Sequence, residues 1–428
     1  MATAELPKVC GIDGLAKALA ATGFLNGQSD SAVLFVPEHG VIQCSALTFL
    51  CAWGRQQRRQ GRELLIRGSE AALRQLMRLD LYEHLGLAYQ KEVQSPLDNP
   101  VVPLRLISNE QDMPAAAGEI YRLVERHFDN APSFLPALQW AVGEITDNVL
   151  RHADAADPGA VYSEYLPREH RLDVAICDLG RGIYASLGET TFLYSHGHAI
   201  TQAVRRGVTR STDIGQGNGL AGVLEIVRKN GGDLQIWTGD ALYRVVRGDI
   251  KGFVQMPTVP GTGVAFSLDT RVPVDLRDTW IAGRGAAFLP AQAGHAATAL
   301  DSAASVGAET TGSISESTHG RIIGVARECD NTVMRGPAQR LRDRISRELL
   351  EYSSPLTLDF SAVQDATSSF LDELLGRLAR EMGSDLFHKR LVIGGMSELI
   401  ERMANVVIQQ RLEGLSGSDR GLEEGLDG

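Results

Sequence analysis

Apolar positions along the chain fall into two rhythms. Short unbroken or alternating runs predict strands, and i, i+3/i+4 stripes predict helices. A stripe over Leu15 to Leu25 predicts a first helix, and Ser31-Ala-Val-Leu-Phe-Val36 predicts a buried strand. Beyond a turn at Pro37 to Gly40, Leu47, Leu50, Cys51 and Trp53 give Cys44 to Arg59 helical periodicity. A strand at Glu63 to Arg67, a helix at Glu70 to Arg78 and the segment Leu81 to Leu85 follow, so residues 1–95 read as a small α/β layer.

A linker over 86–102, marked by Pro96 and Pro100, leads to an edge strand at Val101 to Leu106 and a helix at Met113 to His127. Leu135, Leu138, Val142, Ile145 and Val149 then form a core-facing stripe, which puts Glu144 and Asn148 on the opposite, polar side of that helix. Val161 to Leu166 and Arg171 to Cys177 alternate around Pro167 to His170, a hairpin signal. Ala221 to Arg228 reads as a helix and Val264 to Leu268 as the last strand of this part. Residues 287–318, rich in Ala, Gly, Ser and Thr, read as a flexible linker. Strands at Ile322 to Val325, Leu356 to Phe360 and Lys389 to Ile393 alternate with helices at Pro337 to Tyr352, Ser369 to Met382 and Ser397 to Gln409, giving a further α/β domain over 319–415. The acidic, glycine-rich residues 416–428 read as a disordered tail.

Composition narrows the class. The 428 residues are 43% hydrophobic and 22% charged, an ordinary globular balance with room for several cores. A formal net charge of −11 makes nucleic-acid coating an unfavourable role. Arg55, Arg58, Arg59 and Arg62 cluster, but a solvated helix face accounts for them as well as a basic patch does. Five scattered cysteines without a C-x-x-C pair imply reduced thiols, and with no apolar signal segment and no membrane-length run they predict a cytoplasmic protein.

The chemistry-bearing residues lie between 131 and 270. Glu144-Ile-Thr-Asp-Asn148 sets a carboxylate and a carboxamide four residues apart on one helix face, suited to a magnesium nucleotide, although a solvated polar face also explains them. Asp178-Leu-Gly-Arg-Gly182 follows a strand. Its aspartate can accept from an exocyclic amine such as that of adenine, while Gly180 and Gly182 let the backbone approach a flat ring. Gly215-Gln-Gly217-Asn-Gly219 precedes a helix, where backbone N–H groups form an anion site. Gly261-Thr262-Gly263 opens the last strand. Gly217 to Gly222 also spells G-x-G-x-x-G, but the polar run Arg205 to Asp213 before it rules out a dinucleotide fold. No P-loop occurs, and His127 reads as an ordinary helix-end residue.

In order and spacing these motifs resemble the GHKL ATP-binding fold of gyrase, MutL and histidine kinases, most of all its anti-sigma serine kinase branch. The resemblance covers 103–270 and implies a two-layer α/β sandwich binding ATP and Mg. It implies Glu144 as general base, Asn148 as magnesium ligand, and Asp178 assisted by Thr262 at the adenine. Gly215, Gly217 and Gly219 would form the lid. Residues 1–95 resemble a STAS domain, the fold of anti-sigma-factor antagonists. Gln43-Cys-Ser-Ala46 stands where that family has D-S-[ST]-G, so packing or dimerisation is the plainer role at Ser45. Leu358 to Val363 followed by Thr367-Ser-Ser-Phe-Leu-Asp-Glu373 resembles a STAS-like family with the signature S-S-F-x-D-E. Ser368 aligns with the phosphorylated serine, and it is either an acceptor or a helix cap. The expectation is therefore a regulator with STAS-type or sigma-factor-like partners. It acts as a protein-serine kinase, as a clamp ATPase that forms a homodimer, or as a non-enzymatic nucleotide sensor.

Overall fold

The computed structural model describes residues 1–88, 100–109, 112–128, 133–151, 157–189, 191–205, 219–274, 321–329, 332, 335–363 and 366–418. They form a mixed α/β protein in two units, Met1–Asp275 and Leu276–Gly428. Among the described residues no helix is long and apolar enough to cross a membrane.

The first unit begins with β1 (Ala2–Glu5), β2 (Val9–Cys10), α1 (Ile12–Ala21), β3 (Ser31–Val36), β4 (Val41–Ile42), α2 (Cys44–Arg59), β5 (Glu63–Gly68), α3 (Glu70–Arg78) and α4 (Leu81–Leu85). Strands β1, β3 and β5 form a parallel sheet in that order, and β2 pairs with β4. β1 is too short and polar to show in the sequence, and its pairing with β3 defines it.

The chain continues with β6 (Val101–Ile107), α5 (Asp112–His127), α6 (Leu135–Arg151), β7 (Gly159–Leu166), β8 (Arg171–Cys177), α7 (Gly182–Leu187), α8 (His196–Ala203), α9 (Gly219–Asn230), β9 (Leu234–Val246) and β10 (Asp249–Asp269). The strands make an antiparallel sheet in the order β6-β7-β8-β10-β9. β9 and β10 form a hairpin far longer than the five residues expected. Its two-residue turn is Arg247-Gly248, both at positive φ, as a type I′ turn requires. Helices α5, α6 and α9 pack over one face of this sheet, while α1 and α2 pack against the other. Phe49, Leu50 and Trp53 of α2 share one core with Tyr162, Ala175, Cys177 and Trp237 of the sheet. Two of the clustered arginines are tied into the fold: Arg59 of α2 pairs with Asp157, and Arg62, just past the helix, bonds the carbonyls of Phe24 and Ser29.

The second unit comprises β11 (Arg321–Gly324), α10 (Val325–Glu328), α11 (Arg335–Glu351), β12 (Leu356–Asp359), α12 (Ser368–Leu371), a π turn (Asp372–Gly376), α13 (Arg377–Met382), α14 (Ser384–Arg390), β13 (Leu391–Gly394) and α15 (Glu398–Ser418). Its three strands are parallel, in the order β11-β12-β13, and bury Ile323, Leu356, Leu358, Leu391 and Ile393. The third strand starts later than expected because Gly383, at φ +74, breaks the preceding helix and α14 takes up Lys389 and Arg390.

Candidate functional site

Along β8 the side chains alternate, so Ala175 and Cys177 face α2, and Asp178, just past the strand end, follows the register of Val174 and Ile176 on the other side. Asp178 is 7% exposed. Its Oδ1 accepts from the N–H of Gly180 at 2.8 Å and of Thr262 at 3.3 Å, and its own N–H donates to the Thr262 carbonyl at 2.8 Å. Among the described residues no hydrogen bond reaches Oδ2 of Asp178 or the Thr262 hydroxyl. Burial pushes the Asp178 carboxyl up to about 7, and the two backbone donors hold it from rising further.

The G-T-G turn owes its shape to β10. Pro257 and Pro260 donate no ladder bond, and the register slips between Gln255 and Val259 and again between Val259 and Thr262. Gly261 lies at φ +75, where a Cβ would fall 2.0 Å from the Asp178 carbonyl oxygen. Only glycine lets these two backbones meet.

Helix α6 reaches the same strand end. A Cβ on Gly159 would meet both Val149 Cγ1 at 2.7 Å and the Cys177 carbonyl oxygen at 2.6 Å, so Asn148 and Asp178 each neighbour a residue of one contact. The first residue of α9, Gly219, lies against the E-x-x-x-N face. A Cβ there would sit 3.0 Å from Glu144 Oε2 and 3.6 Å from Asn148 Nδ2. One turn on, the Trp140 ring packs into the space beside Gly222, where a Cβ would be 2.1 Å away.

This packing corrects one expectation. The helical stripe put Glu144 on the polar side of its helix, yet Glu144 is 5% exposed and Asp147 is buried beside it, because α9 covers that side. The structure thus brings Glu144, Asn148 and Gly219 together and gathers Asp178, Gly180, Gly182 and Thr262 at the adjoining strand end. Gly215 and Gly217 lie outside the described residues. Sequence reasoning missed Thr238 on β9, 1% exposed, whose hydroxyl donates to the Gly261 carbonyl at 2.9 Å and accepts from the Ile183 N–H at 3.2 Å. No local sequence signal marks it, because its place directly opposite Thr262 is set by the sheet register.

In the second unit Ser368 is 4% exposed. The helix is capped by Thr367, which accepts from the Phe370 N–H at 3.1 Å, so the capping role considered for Ser368 belongs to its neighbour. The D-E pair of the motif is buried in an ionic cluster. Asp372 takes Arg335 at 3.0 Å and Arg411 at 2.6 and 2.7 Å, and Glu373 takes Arg342 at 2.6 Å and Arg377 at 3.1 Å. These partners come from α11, α13 and α15, so the motif ties three helices to one turn.

Compared with known families, residues 337–401 match a STAS-like domain of unknown function (DUF4325). The second unit contains a STAS-like domain. No curated protein matches the chain. The match takes in β12, the S-S-F-x-D-E helix, β13 and the start of α15, so the buried Asp372 and Glu373 belong to the STAS-like domain itself.

Proposed function

We propose that the first unit holds a GHKL-type ATP site, and that the chain is a cytoplasmic Mg-ATP-dependent regulator acting on STAS-type domains, its own included. The observation that carries this reading is the meeting of Gly219 with Glu144 and Asn148, beside a strand end where Asp178 Oδ2 and the Thr262 hydroxyl take no hydrogen bond among the described residues. The residues fit the ligand. Asp178 Oδ2 would accept from the adenine amine, with the Thr262 hydroxyl beside it, and the α9 N-terminus would meet phosphate oxygens. Asn148 would present its carboxamide oxygen to magnesium. Bound Mg-ATP would supply an activated phosphoryl group and a divalent charge to stabilise its transfer. Glu144, 5% exposed, would take a proton from the attacking hydroxyl or water. The parallel sheet and helices of residues 1–88, with Ser45 buried at the start of α2, suit a degenerate STAS-like module used for packing.

In the kinase form of this reading the acceptor is a serine on a STAS-type partner, Ser368 being the candidate within the chain. The burial of Ser368 favours a second form, in which water is the acceptor and nucleotide closure drives a homodimer. Calorimetry with ATP and magnesium tests the site, and absence of binding refutes both forms. Incubation with γ-labelled ATP separates them: label on Ser368 or an added STAS domain supports the kinase, and release of labelled phosphate alone supports the ATPase.

A further inference from the structure

Resting on the ATP reading above, we infer that Thr238 is a positioning residue for purine selection, holding the two loops that aim the Asp178 carboxylate. Its hydroxyl is the one side-chain group, among the described residues, that bonds both the start of α7 and the G-T-G turn. It accepts from the Ile183 N–H at 3.2 Å, one residue past the D-x-G-x-G motif, and donates to the Gly261 carbonyl at 2.9 Å. Space beside it is reserved at Gly182, which lies at φ +75, where a Cβ would come within 2.7 Å of the Thr238 hydroxyl and 3.3 Å of the Gly261 carbonyl oxygen.

The link to Asp178 is short. Gly261 packs on the Asp178 backbone, and Thr262, the next residue, gives the N–H that fixes Oδ1 at 3.3 Å. With Oδ1 held by its own loops, Oδ2 is the oxygen left to face a ligand. A carboxylate so oriented accepts from the 6-amino group of adenine and repels the 6-oxo group of guanine. Loosening the turn lets the carboxylate rotate, so the loss falls on the amino purine. A role in fold stability alone would weaken both purines equally.

The test compares the full-length parent with Thr238→Val and Thr238→Ser by calorimetry with ATP and with GTP in excess magnesium. Valine keeps the shape but leaves the Ile183 N–H and Gly261 carbonyl unpaired, and ATP affinity is expected to fall about tenfold with GTP affinity unchanged. Serine keeps the hydroxyl and restores both the affinity and the ATP-to-GTP ratio. If Thr238→Val does not fold, Thr238→Ala, which cannot overpack the site, replaces it. Equal ATP binding by parent and variant, or equal losses for ATP and GTP, overturns the inference and leaves the ATP site standing. Absence of ATP binding by the parent itself overturns the ATP reading and, with it, this one.

Discussion

Replacing Asp178 by asparagine should make the first unit more stable and unable to bind ATP. The carboxyl is held at about 7, against an ordinary value of 3.8, chiefly by burial. The folded state therefore prefers the protonated form. The stabilisation is fully present below pH 3.8, is lost as pH rises toward 7, and changes no further above that. The whole rise is worth about 4 kcal/mol, an upper value because local relaxation eases the burial of the charge. Asparagine keeps an oxygen for the Gly180 and Thr262 N–H groups and never ionises. At pH 8 the variant should exceed the parent by about 2–4 kcal/mol, and at pH 4 the two should nearly coincide. Urea unfolding at pH 4, 6 and 8, followed by tryptophan fluorescence, measures this, since Trp53, Trp140 and Trp237 are all buried in this unit. A midpoint shift of about 1 M or more at pH 8 is expected. Asp173, raised by burial to about 6, titrates in the same window but equally in both proteins, so it cancels in the difference. A variant no more stable than the parent at pH 8 refutes the account of the buried charge, and one that binds ATP as the parent does refutes the role given to the carboxylate.

Glu144→Gln should leave ATP affinity within a few-fold of the parent while phosphate release or transfer falls about 100-fold or more, measured with γ-labelled ATP. Gly261→Ala places a Cβ 2.0 Å from the Asp178 carbonyl at a φ of +75, and should cost about 3 kcal/mol by urea unfolding. Asp372→Ala removes the shared partner of Arg335 and Arg411, and should destabilise the STAS-like domain by about 3–5 kcal/mol, read by hydrogen exchange of its strands.

The helical stripes and the hairpin before Asp178 were legible because local rhythm and local packing agree there: α2 spans Cys44–Arg59, as its periodicity implies, and the turn ending at His170 joins β7 to β8. Most of the β9–β10 hairpin was not legible. Pro257, Pro260 and the glycines of β10 interrupt its alternation, and the arginine-glycine turn carries no strong hairpin signature. Glu144 was misplaced for another reason. Its burial depends on α9, about seventy-five residues later in the chain, fitting Gly219 and Gly222 against α6, which no local period reports. The burial of Asp372 and Glu373 is likewise invisible to any local pattern, since Arg335, Arg342 and Arg411 reach them from distant stretches of the chain.

The shared core between α2 and the five-stranded sheet makes the opening α/β segment inseparable from the sheet it packs on. A chain cut at Pro100 would leave Tyr162, Ala175 and Cys177 facing water on one fragment and Phe49, Leu50 and Trp53 on the other, and both halves should precipitate. Heating should melt the opening segment and the sheet in a single step.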